Sequence, residues 1–243
     1  MIYITGDTHN TVDMSNVSNK RIKEYCEAVG KIISDVQVLI ILGDFGLPWE
    51  KCEIDENGIH PHRGDDRKLL KWYNEKPFIV LALTGNHDNY DMIEQLPEVP
   101  LYGGMVKKVS KNIFYLKRGN FYEIESHRFL VLGGAQSHDG SYRTTHLSWW
   151  EQEVWTKDEQ EECLKKISYN KKEIDYVLSH TGTTTGIKAT ASSKFELYDL
   201  EPYLQDPTVA FNDKVDNLIS YKKWFFGHLH SDWGAFHFNE IQI

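Results

Sequence analysis

Five short polar clusters hold most of the residues in this chain that could bind a metal ion or move a proton. They are Gly6-Asp7-Thr8-His9, Gly43-Asp44-Phe45-Gly46, Gly85-Asn86-His87-Asp88, His180, and Gly227-His228-Leu229-His230. Asp, Asn and His supply oxygen and nitrogen ligands, a mixed set that suits Mn²⁺, Fe or Zn²⁺ and suits Mg²⁺ less well. Asp7 and His9 lie two apart, so on an extended loop both can face one ion, and His228 and His230 repeat that spacing. With seven candidate ligands (Asp7, His9, Asp44, Asn86, His180, His228 and His230) the set exceeds what one ion needs. The surplus points to two ions sharing a bridging carboxylate, which can activate a water and neutralise the oxygens of a phosphoryl group.

Gly-Asp and Asn-His are common turn dipeptides, so a single such cluster would be weak evidence. Here each cluster follows at once on a short apolar run that reads as a buried strand: 2–5, 38–42, 78–83, 176–179 and 224–226. A sixth run of this kind spans 129–132. Between the first two runs, Ile22, Cys26, Val29 and Ile33 recur at helical spacing, which predicts a helix over 18–34 with Ser18 as N-cap. Further helices are expected at 65–74, at 156–169 behind a Thr156/Glu159 capping box, and at 214–221. The stretch 106–133 alternates without helices and reads as antiparallel strands. Strand–helix–strand units around a β meander describe a layered α/β sandwich with two sheets, in which ligands collect at the carboxyl ends of the strands.

The rest of the chain bounds the answer. It has 243 residues and no repeat, linker or low-complexity tract, so one domain over 1–243 is expected. Apolar residues at 40% and aromatics at 13% describe a folded protein. No apolar stretch approaches the roughly 20 residues needed to cross a bilayer. Met1 leads into Ile2-Tyr3-Ile4 without a basic segment or long apolar core, so no signal peptide is expected. Cys26, Cys52 and Cys163 are odd in number and widely spaced, which fits a reduced cytoplasmic protein. A net charge of −9 argues against duplex nucleic acid and other long polyanions as partners. It does not argue against a phosphate substrate, because two divalent ions would supply positive charge where a phosphate binds.

Taken together, the GDTH, GD, GNHD, His180 and GHLH blocks, in that order over nearly the whole chain, resemble the calcineurin-like metallophosphoesterase superfamily. The likeness is to small stand-alone bacterial and phage members with GDFG in the second block. It implies a four-layer α/β/β/α sandwich of two mixed β-sheets flanked by helices. It also implies that Asp7, His9 and His230 hold one divalent ion and that Asn86, His180 and His228 hold the other, with Asp44 bridging both. Manganese is the first expectation, with iron, zinc or magnesium as alternatives. The resemblance further implies a metal-bridging hydroxide nucleophile, His87 acting on the phosphate or leaving alkoxide, and Asp88 orienting His87 through its other ring nitrogen. The activity implied is phosphomonoester hydrolysis of the Ser/Thr phosphatase kind, with phosphodiester or nucleotide hydrolysis at the same site as the alternative. A non-catalytic scaffold is the minor alternative, and the intact ligand set speaks against it. Substrates would be small phosphorylated molecules, nucleotides or phosphoproteins.

One block departs from the pattern. Protein phosphatases of the superfamily carry an Asp-Arg pair after the second Gly-Asp, where this chain has Phe45-Gly46-Leu47-Pro48. A phosphate-gripping arginine must come from elsewhere, and Arg143 and Arg63 are the candidates, since an arginine fork matches phosphate geometry. For Arg143 the competing reading is a loop-fixing salt bridge with Asp139. His138 and His146 share that loop and could approach the site or be polar surface. Trp149-Trp150 could flank a substrate ring or simply pack. The segment 52–66, with His60 and His62, is either a substrate lid or, preferably, a variable surface loop. His127 and His237 are expected to be structural or exposed.

Overall fold

A computed structural model describes residues 1–191 and 200–230; His237 lies outside them. The strands are β1 (Ile2–Thr5), β2 (Val38–Ile41), β3 (Glu53–Asp55), β4 (Gly58–His60), β5 (Ile79–Ala82), β6 (Glu98–Leu101), β7 (Gly104–Lys108), β8 (Ile113–Leu116), β9 (Asn120–Ile124), β10 (His127–Leu132), β11 (Tyr176–Ser179) and β12 (Lys223–Phe226). The α-helices are α1 (Asn19–Ala28), α2 (Gly64–Asn74), α3 (Tyr90–Gln95), α4 (Lys157–Tyr169), α5 (Thr184–Ala191), α6 (Glu201–Leu204) and α7 (Pro207–Asp216).

Two mixed sheets result. The first runs β1-β2-β5-β8-β7-β6, with β1, β2, β5 and β8 parallel, β7 antiparallel to β8, and β6 antiparallel to β7. The second runs β12-β11-β10-β9, parallel except for β9. Because successive side chains on a strand point to opposite faces, each central strand feeds two different cores. Ile40, Leu81, Phe114, Val131, Leu178 and Phe225 meet between the two sheets. Leu39, Ile41, Val80 and Tyr115 face the other way, against Ile22 and Cys26 of α1 and Leu69 and Tyr73 of α2. Leu130, Leu132 and Val177 pack against Cys163 of α4 and Phe211 and Val215 of α7. Three apolar seams separate four layers, helix on sheet on sheet on helix.

Several local expectations change. The first helix stops at Ala28, because Gly30 takes a left-handed φ of 70°. Its cap forms as expected, Ser18 Oγ accepting from Arg21 N at 3.2 Å. The last helix starts earlier than 214, with Asp206 as N-cap and Pro207 opening the first turn. The meander 106–133 is split between the sheets, β7 and β8 joining the first and β9 and β10 the second. Segment 52–66 is mostly exposed, as a surface segment would be, and contains the β3–β4 hairpin. Ile59 N donates to Val109 O at 3.0 Å, and the Ile59 side chain is buried beside the first-sheet core. Among the described residues no helix is long and apolar enough to cross a membrane.

Candidate active site

All five polar clusters leave the carboxyl ends of parallel strands, so the two sheets deliver them to one edge of the sandwich. The loop after β1 is stitched to the loop after β2: Asp7 N donates to Gly43 O, His9 N to Asp44 O and Asn10 N to Phe45 O, at 3.2, 2.7 and 3.1 Å. The loop after β12 closes on the first through His228 N, which donates to the Asp7 carboxylate at 2.9 Å. His87 N donates to Asp44 Oδ1 at 2.7 Å. Gly85 lies so close to Asp44 that a Cβ there would overlap Oδ1, and a Cβ at Gly43 would overlap the His180 ring. Asp7, His9, Asp44, His228 and His230 all have positive φ, between 44° and 68°. Such backbone strain persists only where the surroundings over-determine it.

The ligand atoms converge as two groups. Asp7, His9, Asp44 and His230 offer atoms within 4.8 Å of one another, and so do Asp44, His180 and His228; Asp44 belongs to both. Asn86 Oδ1 joins the second group, 3.0 Å from His180 Nε2. His180 Nδ1 pairs with Leu42 O at 2.7 Å, which turns Nε2 to the site, 3.4 Å from Asp44 Oδ2. His228 Nε2 is buried and has no hydrogen-bond partner. Burial drives the pKa of that ring well below the usual histidine range, leaving a neutral imidazole with a free lone pair. An orphaned buried imidazole nitrogen beside two buried carboxylates fits a metal ligand.

Charge supports the same reading. Burial pushes the Asp7 carboxyl up to about 6. Burial also opposes ionisation of Asp44, but His180 outweighs it and takes Asp44 well below the carboxylate range. For His180, burial lowers the pKa and the Asp44 and Asp7 carboxylates more than reverse that, to about 10. Carboxylates that draw positive charge so strongly into a buried position would also draw a divalent cation.

His87 stands at the edge of these groups, its ring 5.0 Å from that of His9. Burial first, and then the Arg143 charge, hold its pKa down at about 4. Asp88 does not reach the His87 ring, contrary to expectation. Its Oδ1 accepts from Gly46 N and the Tyr115 hydroxyl at 2.8 and 3.0 Å. Its Oδ2 accepts from Gly85 N and Asp44 N at 2.8 and 3.1 Å. Asp88 therefore ties the second and third loops together from beneath.

The His87 contact is instead Arg143, whose Nη2 lies 2.9 Å from Nε2. A guanidinium can only donate, so Nε2 accepts and the ring proton sits on Nδ1. The same Nη2 lies 2.7 Å from Asp139 Oδ1, so the loop-fixing salt bridge and the site-facing position coexist. Phe45 and Leu47, where an Asp-Arg pair is absent, are fully buried, Phe45 against Tyr73 and Tyr115. Arg63 is exposed at the start of α2. His138 stacks edge-on with Tyr203 at 4.2 Å and lies 5.7 Å from the His228 ring. His146 pairs with Asp91 on α3 at 2.9 Å. Trp150 packs on Trp49 and donates to Asp91, while Trp149 donates to Glu153, so both tryptophans brace the loop. Sequence reasoning passed over Ser137, Glu153 and Tyr203. No sequence pattern marks them: Ser137 meets Glu153 across an irregular loop, and Tyr203 meets His138 from another element.

A sequence profile of calcineurin-like phosphoesterases matches residues 1–232, and the chain belongs to that family. No curated protein matched the chain.

Proposed function

We propose that this protein is a dinuclear-metal-dependent phosphomonoesterase. The observation behind the reading is the pair of ligand groups that share Asp44, with His87 and Arg143 beside them. Asp7, His9, Asp44 and His230 would hold one ion; Asp44, Asn86, His180 and His228 would hold the other. When bound, the ions, manganese first among them, supply Lewis acidity and positive charge for a phosphoryl group.

This chain's own residues do the rest. Arg143 presents a guanidinium fork to phosphoryl oxygens, and Asp139 holds that fork in place. On engaging phosphate, Arg143 would give up its contact with His87, freeing the Nε2 lone pair to take up a proton from solvent water beside the phosphate dianion and pass it to the leaving oxygen. A monoester dianion gains most from this concentration of positive charge, which ranks it above a diester. A small phosphorylated metabolite, a nucleotide or a phosphoprotein are the substrate classes proposed, and the cytoplasm is the proposed location.

The test is hydrolysis of p-nitrophenyl phosphate and of its bis ester by purified protein with added Mn²⁺. The monoester should be turned over faster, and His87→Ala should nearly abolish turnover. Faster cleavage of the bis ester would make the protein a phosphodiesterase. Failure on both esters with every divalent metal tried would remove the enzymatic reading.

A further inference from the structure

Glu153 is completely buried, yet it lies on a connecting segment after the Arg143 loop and contributes to neither ligand group. Its hydrogen bonds lead to both parts of the site. Oε1 accepts from Ser137 N at 2.6 Å and from Trp149 Nε1 at 2.9 Å, and Oε2 accepts from Ser137 Oγ at 2.8 Å. A carboxylate has no proton to offer, so the single Ser137 hydroxyl proton is spent on Glu153. The Ser137 oxygen can then only accept. It does so from Asn86 Nδ2 at 3.2 Å and from Arg143 Nη1 at 3.4 Å.

That direction has a consequence for Asn86. With its amide nitrogen drawn to Ser137, its Oδ1 is turned to His180 Nε2 and the second ligand group. The flipped amide would set Oδ1 against an oxygen whose proton is already committed, and would aim an NH₂ at the metal. A neutral group at position 153, or no hydroxyl at 137, would remove this preference.

We infer that Glu153 and Ser137 are a positioning pair, which orients the Asn86 amide as a metal ligand and steadies Arg143 through one shared hydroxyl. The inference rests on the dinuclear reading above. Neither residue touches substrate or metal; both act through Asn86 and Arg143.

Glu153→Gln and Ser137→Ala test it by different routes. Glu153→Gln keeps the packing but places a donor where Ser137 needs an acceptor, whereas Ser137→Ala deletes the relay atom. Mn²⁺ binding is followed by calorimetry and by electron paramagnetic resonance, alongside the melting temperature. The wild type should bind two ions. Each variant should keep the ion of the Asp7–His9–His230 group and bind the other about 10- to 100-fold more weakly, the usual effect of removing an outer partner of a ligand. Equal weakening of both ions would mark a merely structural role, and unchanged binding would show that Asn86 needs no relay; either overturns the inference. If the wild type itself binds no Mn²⁺, the dinuclear reading fails and this inference with it. Wild type that binds two ions beside unaffected variants sinks this inference alone.

Discussion

The metal loops and the Arg143 loop reach the same site by opposite means. The loops after β1, β2 and β5 are two to five residues from their strands. They are bound to one another through backbone amides and through Asp88, which receives three N–H groups and the Tyr115 hydroxyl. The loop from Ser137 to Trp150 is long and mostly exposed, with Tyr142 91% and Leu147 68% accessible. Its anchors are few: Glu153 beneath Ser137 and Trp149, and Asp91 beneath His146 and Trp150. A metal site needs ligand atoms held to a fraction of an ångström, and strand ends supply that. Arg143, in its proposed role on phosphate, would have to engage and release a substrate, which a lightly tethered loop permits.

This contrast can be broken by mutation. The largest effect belongs under the metal loops: Asp88→Ala leaves three buried amides and a buried hydroxyl without their acceptor. It should cost at least about 3 kcal/mol in denaturant unfolding. A loss below about 1 kcal/mol would mean that the loops hold together without it. Next is the metal itself, which should bind the folded chain alone. Mn²⁺ at 100 times its dissociation constant should stabilise by about 2.7 kcal/mol for each ion bound, and chelation should reverse the rise in melting temperature. Arg143→Ala should lower kcat/KM for p-nitrophenyl phosphate roughly 100-fold, in line with removal of one charged donor. Its melting temperature and Mn²⁺ affinity should stay near wild type, and a large loss of either would place Arg143 among the structural anchors. At the small end, Tyr142→Ser, at the exposed tip, should change stability by no more than about 0.5 kcal/mol.

The difference also explains what could be read from the sequence. Asp7, His9, Asp44 and Asn86 were legible because each follows within a few residues of a short β-branched run, so strand and ligand announce each other. His180 and His228–His230 were legible for the same reason. The three apolar seams follow from alternation along strands such as 38–42. Helix α7 begins upstream of the expected 214–221 although its signal is present in the sequence, since Asp206 followed by Pro207 is an N-cap and first-turn pair. Strand β6 carries Pro100, which propensity counts against a strand and which an edge position tolerates. The role assigned to Asp88 failed because its neighbour in sequence is not its partner in space. Its acceptor oxygens are filled by amides from the second loop as well as its own. Glu153 was invisible because its main partner, Ser137, lies 16 residues away across an irregular loop that no sequence pattern folds.

The shared ligand is the centre of this account, and Asp44→Asn tests it most directly. Mn²⁺ stoichiometry and affinity are measured for the wild type and for this variant on refoldable, chelator-stripped protein. The wild type should bind two ions, and Asp44→Asn should weaken both together. Loss of one ion with the other retained at wild-type affinity would contradict a carboxylate common to the two groups.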